Sequence, residues 1–492
     1  METVRNFPVL IIYIFFIGSF IQPLVRNVRI SLLLTVAISA VSSAASAAVV
    51  YYVRTNGDFL FDVAPWSAPW GIELSIGTLE AFVIAVICSV GTLISIYGIG
   101  MVEKEIPARN IKIYNALFLA LLGSMTGIAA TGDIFNMYVF IEITSITACG
   151  IISVKDDKKS IEATVKYLVY SSLASGCILL AIALLYGITG NLNIRYIHHH
   201  LTEVMYLYPR NVLLASCLII VGFGLKAAMF PLHFWLPDAH SSAPTTSSAV
   251  LSALVLKAYS VGLIKILTGV FGIVVMSLLP LKTILMYLGS GAVLIGSLLA
   301  MTQSRIKRML AYSSVVQMGY IFLALSLFNR TGFTGALFQI LNHALTKTLL
   351  FLSAGNIKYY TGKESIEQLK GIGYRMPVTM AVFSVGALSM VGLPMTSGFN
   401  SKWYIGYGAI EAGKIGVLIV IVISSLLNAA YYLPVVVSAF FRRPSPGDEI
   451  QQPVNLPWFT SVPMIVMAVL IIVLGLYPDP VINFISGAAK IF

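Results

Sequence analysis

An all-α protein that crosses a membrane about fourteen times is the fold class the sequence predicts, on three observations. The 492 residues are 58% hydrophobic and only 10% charged, with a mean hydropathy of +0.90, which is too little polar surface to cover a soluble globule of that size. Runs such as "NFPVLIIYIFFIGSFIQPLV", "LEAFVIAVICSVGTLISIYGIGM" and "PWFTSVPMIVMAVLIIVLGLY" approach or exceed the ~20 residues a helix needs to span about 30 Å of hydrocarbon. The runs do not alternate polar and apolar residues, so membrane-barrel strands are excluded.

Hydropathy and punctuation place the spans near 7–24, 30–53, 76–100, 113–130, 133–153, 163–187, 211–230, 247–268, 284–302, 308–327, 332–357, 377–412, 415–440 and 457–484. No small-residue cleavage site follows the first run, so it is expected to remain as a helix. Cys88, Cys149, Cys177 and Cys217 lie inside apolar runs without metal-ligand spacing. They read as small buried hydrophobes, and no disulfide framework is implied.

Two spans are expected to be discontinuous. Pro231 interrupts "AAMFPLHFWLP", and the long segment 377–412 contains "VGLPMTSGFNSKW", with Gly392, Pro394 and Gly398 as breakers. A helix broken inside a membrane leaves backbone groups unpaired unless they face protein or a wet cavity, so such breaks mark ion or substrate sites. Lys226 precedes the first break and Lys402 follows the second. The two broken segments lie about 170 residues apart, a spacing that two five-helix units would produce.

The formal net charge of +11 is explained by topology rather than by a nucleic-acid partner. Of the 31 lysines and arginines, seventeen fall in the loops of one side and nine in those of the other. That bias puts both termini on the non-cytoplasmic face of the cell membrane. Arg443 and Lys490 are among the residues counted.

Five basic residues remain, Lys166, Lys226, Lys257, Lys347 and Lys402, each inside a predicted span, whereas every arginine lies in a loop or at a span end. A charged lysine at the centre of a bilayer helix costs roughly 2.5–3.5 kcal/mol. Lysine can release its proton when desolvated and arginine effectively cannot, so a buried set of lysines suits reversible protonation. Glu142, mid-span in "GDIFNMYVFIEITSITACGI", has no charged neighbour on its own helix and needs a partner from another. A carboxylate beside a buried lysine holds the lysine's proton and frees it on withdrawal, so a Glu142–Lys226 pair is either a proton switch or a static ion pair. His343 and Lys347 are four apart and share one helix face, where they are expected to border a polar path. Lys166 lies near the inner surface and is expected to snorkel.

Other polar features receive plainer expectations. "HHH" at 198–200 sits in an outer loop without companion ligands, so metal coordination is not expected. Glu80 is expected at a subunit or lipid interface, and Asp133 and Asp238 as capping residues. The sequence has no "GxxxxGK[ST]" loop, no dinucleotide glycine fingerprint and no cysteine cluster, so no cofactor of its own is expected. The energy for any transport would come from an ion gradient or from a redox subunit of the same complex.

Taken together, "GDIFNMYVFIEI", "GLKAAMFPLHFWLPDAHSSAPTTSSAVLSALVLKAY", "SRIKRMLAYSSVVQMGY", "NHALTKTLLFLSAGN" and "GLPMTSGFNSKW" resemble the antiporter-like subunits of Mrp cation/proton antiporters, respiratory complex I and membrane-bound hydrogenases. Within that family the chain looks most similar to the D-type subunits of the Mrp antiporters. The resemblance implies fourteen helices with two inverted five-helix repeats. It divides the chain into 1–112, a first half-channel over 113–268, a second over 284–440 and a last helix in 441–492. It also implies roles residue by residue: Glu142 as modulating glutamate, Lys226 as central lysine, Lys257 as connecting lysine, His343 and Lys347 on the central axis, and Lys402 as the terminal lysine. The lateral helix of the largest complex I member is not expected after residue 484. The implied function is translocation of protons, with sodium coupled or not, in company with other small membrane subunits and lipid. A self-sufficient sodium/proton exchanger and a scaffold subunit are the alternatives.

Overall fold

The computed structural model describes residues 2–442 and 453–491. Arg443 of the charge count lies outside them, and the Lys490 side chain is likewise not described. The helices in chain order are α1 (Phe7–Ile21), α2 (Val28–Asn56), α3 (Thr78–Glu105), α4 (Ile111–Ala130), α5 (Ile134–Ser153), α6 (Lys158–Thr189), α7 (Ile194–Val204), α8 (Pro209–Lys226), α9 (Leu236–Ser242) and α10 (Thr245–Val250). They continue as α11 (Leu256–Lys265), α12 (Gly272–Leu278), α13 (Leu281–Met301), α14 (Ile306–Ser326), α15 (Arg330–Thr361), α16 (Ile372–Arg375), α17 (Pro377–Val391), α18 (Ser397–Glu411), α19 (Ile415–Phe441), α20 (Trp458–Leu476) and α21 (Asp479–Ile485).

Twelve helical segments among the described residues are long and apolar enough to cross a membrane. The two other expected spans fall on α15 and on the α17–α18 pair. α15 has the length, but Gln339, Asn342, His343, Lys347 and Asn356 are all buried along it. Its polarity is a property of the interior, not of a solvent face.

Two features depart from the expected all-helical pattern with plain loops. Strands β1 (Phe59–Asp62) and β2 (Glu73–Ile76) pair antiparallel, with Phe59 opposite Ile76. The histidine run lies on α7, which buries Ile194, Ile197 and Leu201, an i, i+3, i+7 stripe that makes the helix amphipathic. Asn193 caps it by accepting from the Arg195 and Tyr196 amides. Asp133 does the same for α5, accepting from Asn136 N at 2.7 Å, as the sequence predicts.

Helix α4 packs on α5, α5 on α6, α6 on α8, α8 on α11 and α11 back on α4. The same cyclic order recurs later: α13 on α14, α14 on α15, α15 on α17 and α18, these on α19, and α19 back on α13. The most apolar stretch of the segment Thr245–Phe271 is buried throughout, whereas α2, α6, α13, α19 and α20 leave most of theirs unburied. Both chain ends meet one face of the bundle: Arg5 donates to the Leu60 carbonyl at 3.0 Å, and Gly487 lies beside Thr78.

Both expected breaks are present. After Lys226 the chain leaves α8 and re-enters helix only at Leu236; Trp235 Nε1 donates to the freed Leu225 carbonyl at 2.8 Å. Between α17 and α18, Gly392 takes φ +88°, a left-handed conformation that ends a helix without a Cβ clash. Gly398 is not part of this break: it lies in the first turn of α18. A Cβ there would stand 1.8 Å from the Ser389 carbonyl oxygen, so only glycine lets α18 close onto α17. Two π-helical turns, Leu251–Val255 and Ile266–Phe271, flank α11, a distortion that recurs at functional sites.

Candidate functional site

Helices α5, α6 and α8 build a closed cage around the Lys226 ammonium. Glu142 and Ser145 are three apart on α5, and Ser171 and Ser175 four apart on α6, so each pair shares one helix face. Lys226 Nζ donates to Ser145 Oγ at 2.6 Å, Ser175 Oγ at 2.8 Å and Ser171 Oγ at 2.9 Å. Glu142 Oε1 lies 3.4 Å away and also accepts from the Ser175 hydroxyl. The lysine side chain is 0% exposed and that of Glu142 33% exposed, so the carboxylate looks outward while the ammonium does not. The Tyr259 ring stands 5.8 Å from Nζ, and its hydroxyl reaches Ser145 Oγ at 3.1 Å. The partner that Glu142 requires is therefore Lys226.

A second polar assembly joins the other three lysines. Lys257 Nζ donates to the carbonyl of Ser252, in the π turn preceding it. Ser252 Oγ meets Ser314 Oγ at 2.8 Å, and Ser314 donates to the Leu310 carbonyl at 3.0 Å. Lys347 Nζ donates to that same carbonyl at 2.8 Å, and further to Ser313 Oγ and, at 3.3 Å, to the Tyr432 hydroxyl. Tyr432 packs against Tyr431 with ring centroids 4.7 Å apart. Tyr431 donates to Asn428 Oδ1, and Asn428 Nδ2 to the Met390 carbonyl at 3.3 Å. Lys402 Nζ donates to that carbonyl at 3.0 Å, to Val391 O at 2.8 Å and to Ser425 Oγ at 3.1 Å. Lys402 thus satisfies the carbonyls orphaned where α17 breaks, at the negative end of that helix dipole.

Five sequence-predicted residues accordingly fall into two groups, Glu142 with Lys226 and Lys257 with Lys347 and Lys402. No hydrogen bond links the two groups among the described residues. His343 is 0% exposed, one turn from Lys347 on α15, and neither ring nitrogen meets a hydrogen-bond partner among the described residues. His240 on α9, absent from the sequence-predicted set, has the same character and lies within electrostatic range of Lys257 and Lys347. Only its place just after a broken helix could have flagged it. Also unanticipated is an amide and hydroxyl network in which Gln339 donates to Gln317 at 2.6 Å, while Asn342 Oδ1 accepts from Ser397 at 2.7 Å and Ser389 at 3.0 Å.

Three charged residues, Asp238, Glu80 and Lys265, differ from expectation. Asp238 is an ion-pair hub rather than a cap, 2.7 Å from Lys166 and 3.4 Å from Arg308. Lys166, its side chain 58% exposed, is held at this rim. Glu80 faces inward: it pairs at 3.3 Å with Lys265, which the charge count assigns to an outer loop but which is buried and donates to the Ala129 and Thr131 carbonyls. Pairing across helices, invisible to hydropathy, explains all three.

The chain matches the family model described as NADH:quinone oxidoreductase/Mrp antiporter, transmembrane, over residues 131–428, which include all six candidate positions. It is 37% identical over 463 residues to the N subunit of NADH-quinone oxidoreductase from Desulforudis audaxviator, covering 92% of this chain and 91% of that protein. With the D subunit of the Na(+)/H(+) antiporter from Bacillus subtilis it shares 26% identity, covering 87% of this chain and 84% of the other. Its structure superposes with a TM-score of 0.90 and 31% identity on a chain of the membrane-bound sulfane sulfur reductase, an archaeal respiratory membrane complex, covering 100% of this chain and 98% of that one. Identity to the Desulforudis protein, 37%, exceeds that to the Bacillus protein, 26%, although the sequence was expected to be most similar to the D type.

Proposed function

Because the chain belongs to the NADH:quinone oxidoreductase/Mrp antiporter transmembrane family, we propose that protons pass through it along a lateral path at mid-membrane, with Glu142, Lys226, Lys257, His343, Lys347 and Lys402 as its stations. The protein is a multi-pass, antiporter-like membrane subunit of a multisubunit complex. The observation that carries the path is the buried polar assembly from Lys257 through Lys347 to Lys402, which would be costly in a purely structural interior. Lys226 in its hydroxyl cage is the entry station, and Glu142, the more exposed partner, sets when its proton is held. His343, whose ring nitrogens meet no hydrogen-bond partner among the described residues, stands one turn from Lys347 and within electrostatic range of Lys257 and Lys347, where an exchangeable proton needs an acceptor. Lysine suits the four stations it occupies because, unlike arginine, it can return its proton.

The recurring cyclic packing supports reading 113–268 and 284–440 as two inverted repeats, each holding one half of the path and one broken helix. Residues 1–112 and 441–492 then flank them, making fourteen spans in all. With basic residues concentrated on the inner side, both termini lie on the non-cytoplasmic side of the cell membrane. The partners are other small membrane subunits and lipid, and the coupled ions are protons with sodium, as the name of the Bacillus subtilis relative suggests.

The complex purified from its host and reconstituted in proteoliposomes tests the path. Lys226→Ala is expected to abolish proton translocation while the complex stays assembled on a native gel, and Lys226→Arg to fail likewise. Wild-type rates in either variant would overturn the carrier role, and disassembly of both would turn the reading toward a scaffold. Translocation by the single chain alone would replace the subunit reading with a self-sufficient exchanger.

A further inference from the structure

We propose that the exposed face of α7 binds a zinc-class divalent transition-metal ion through Nδ1 of His199, Nδ1 of His200 and the Glu203 carboxylate. At about 100° per residue, Glu203 projects between the two rings, roughly 40° from His199 and 60° from His200. The three donor groups converge: their ligand atoms all lie within 4.8 Å of one another. His199 Nδ1 stands 3.7 Å from Glu203 Oε1, and His200 Nδ1 3.7 Å from Oε2. In a tetrahedral zinc site with metal–ligand bonds of about 2.0–2.2 Å, neighbouring ligand atoms stand roughly 3.4 Å apart, so small side-chain rotations complete the geometry.

The third histidine explains why this arrangement is held. His198 turns to the opposite side, where Nδ1 donates to the Val270 carbonyl at 3.1 Å, and Arg195 pairs with the buried Glu73 at 2.6 Å. Helix α7 is thus fixed at its first turn and along its inner face, so the backbone that carries the three outward ligands is already ordered and only their side chains remain to be ordered on binding. Surface His–Glu contacts made only for stability would be worth a fraction of a kcal/mol each and would not need both rings to converge on one carboxylate. Two imidazoles and one carboxylate favour zinc, copper or nickel over magnesium or calcium, which prefer all-oxygen sets. A fourth position is left open to water. None of the three ligands belongs to the proposed proton path.

The test is zinc binding to the purified complex, prepared without a polyhistidine tag, by competition with a chromogenic chelator. The wild type is expected to bind one more zinc per copy of this chain than the His199→Ala/His200→Ala double variant. Glu203→Gln alone should weaken that site on the order of 10-fold or more, at least what loss of an outer-shell partner costs. Magnesium in large excess should not displace the zinc, and cobalt substitution should give visible ligand-field bands that the double variant lacks. Proton translocation without added zinc should be the same in all variants. Equal zinc stoichiometry and affinity in wild type and double variant, or displacement by magnesium, would overturn the site.

Discussion

Replacing Glu142 by glutamine removes a charge while keeping the side chain's size, so it isolates the electrostatic part of the proposed first station. Two unit charges at the 3.4 Å separating Glu142 Oε1 from Lys226 Nζ interact by roughly 5 kcal/mol at an effective dielectric of ~20. One third of the Glu142 side chain is exposed, and solvent screening leaves about 1–2 kcal/mol of that in effect. Expressed as proton affinity this is about 5- to 30-fold, and translocation is expected to slow by a factor in that range. Glu142→Asp draws the carboxylate back by ~1.5 Å, which lowers the unscreened attraction to roughly 3.4 kcal/mol. Aspartate should therefore fall between glutamate and glutamine. The assay is dye-reported proton uptake by the reconstituted complex over a range of pH, with co-purification of the other subunits as the assembly control. If the glutamine variant matches wild type at every pH, the carboxylate does not govern Lys226 and the coupling argument fails.

Gly392→Ala should slow translocation without abolishing membrane insertion, since a residue with a Cβ at φ +88° costs about 1–2 kcal/mol. The new methyl would also stand 2.9 Å from Lys402 Cδ, pushing that ammonium off the Met390 and Val391 carbonyls; a normal rate would argue against Lys402 as a station. Lys347→Ala, which leaves Ser313, Tyr432 and the Leu310 carbonyl without their shared donor, is expected to stop translocation in an assembled complex, as measured by the same dye assay. Glu364 lies outside the spans: burial alone would raise its carboxyl, but Lys358, donating at 2.6 Å, together with the charges of Arg305 and Lys307 outweighs that and holds it below the ordinary range. A lowered folded-state value stabilises the protein at neutral pH, and the benefit disappears as the pH falls through that value. The melting temperature of Glu364→Gln should accordingly trail wild type at pH 7 and converge with it below about pH 4, and a deficit that persists in acid would refute the linkage.

The sequence by itself determined the membrane class, the positions of both helix breaks and the anomalous lysines. Hydropathy is summed over local runs, glycine and proline act on their own backbone, and a charge in an apolar run is costly wherever the run packs. It also required a partner for Glu142, though not which one. The tertiary structure decided the pairings, because they join helices far apart in sequence: Ser145 with Ser171 and Ser175 around Lys226, Asp238 with Lys166 and Arg308, Glu80 with Lys265. It alone revealed His240, since a histidine beyond a helix break has no periodic signature, and only packing excludes it from solvent and brings it within range of Lys257 and Lys347. The histidine run went the other way. Its spacing to Glu203 was local and legible, but the loop assigned there hid the helix that gives that spacing a meaning, and the helix exists because Ile194, Ile197 and Leu201 find a buried surface to cover. Local chemistry says which groups need partners, and the energy of burying them fixes the partners only when the helices meet.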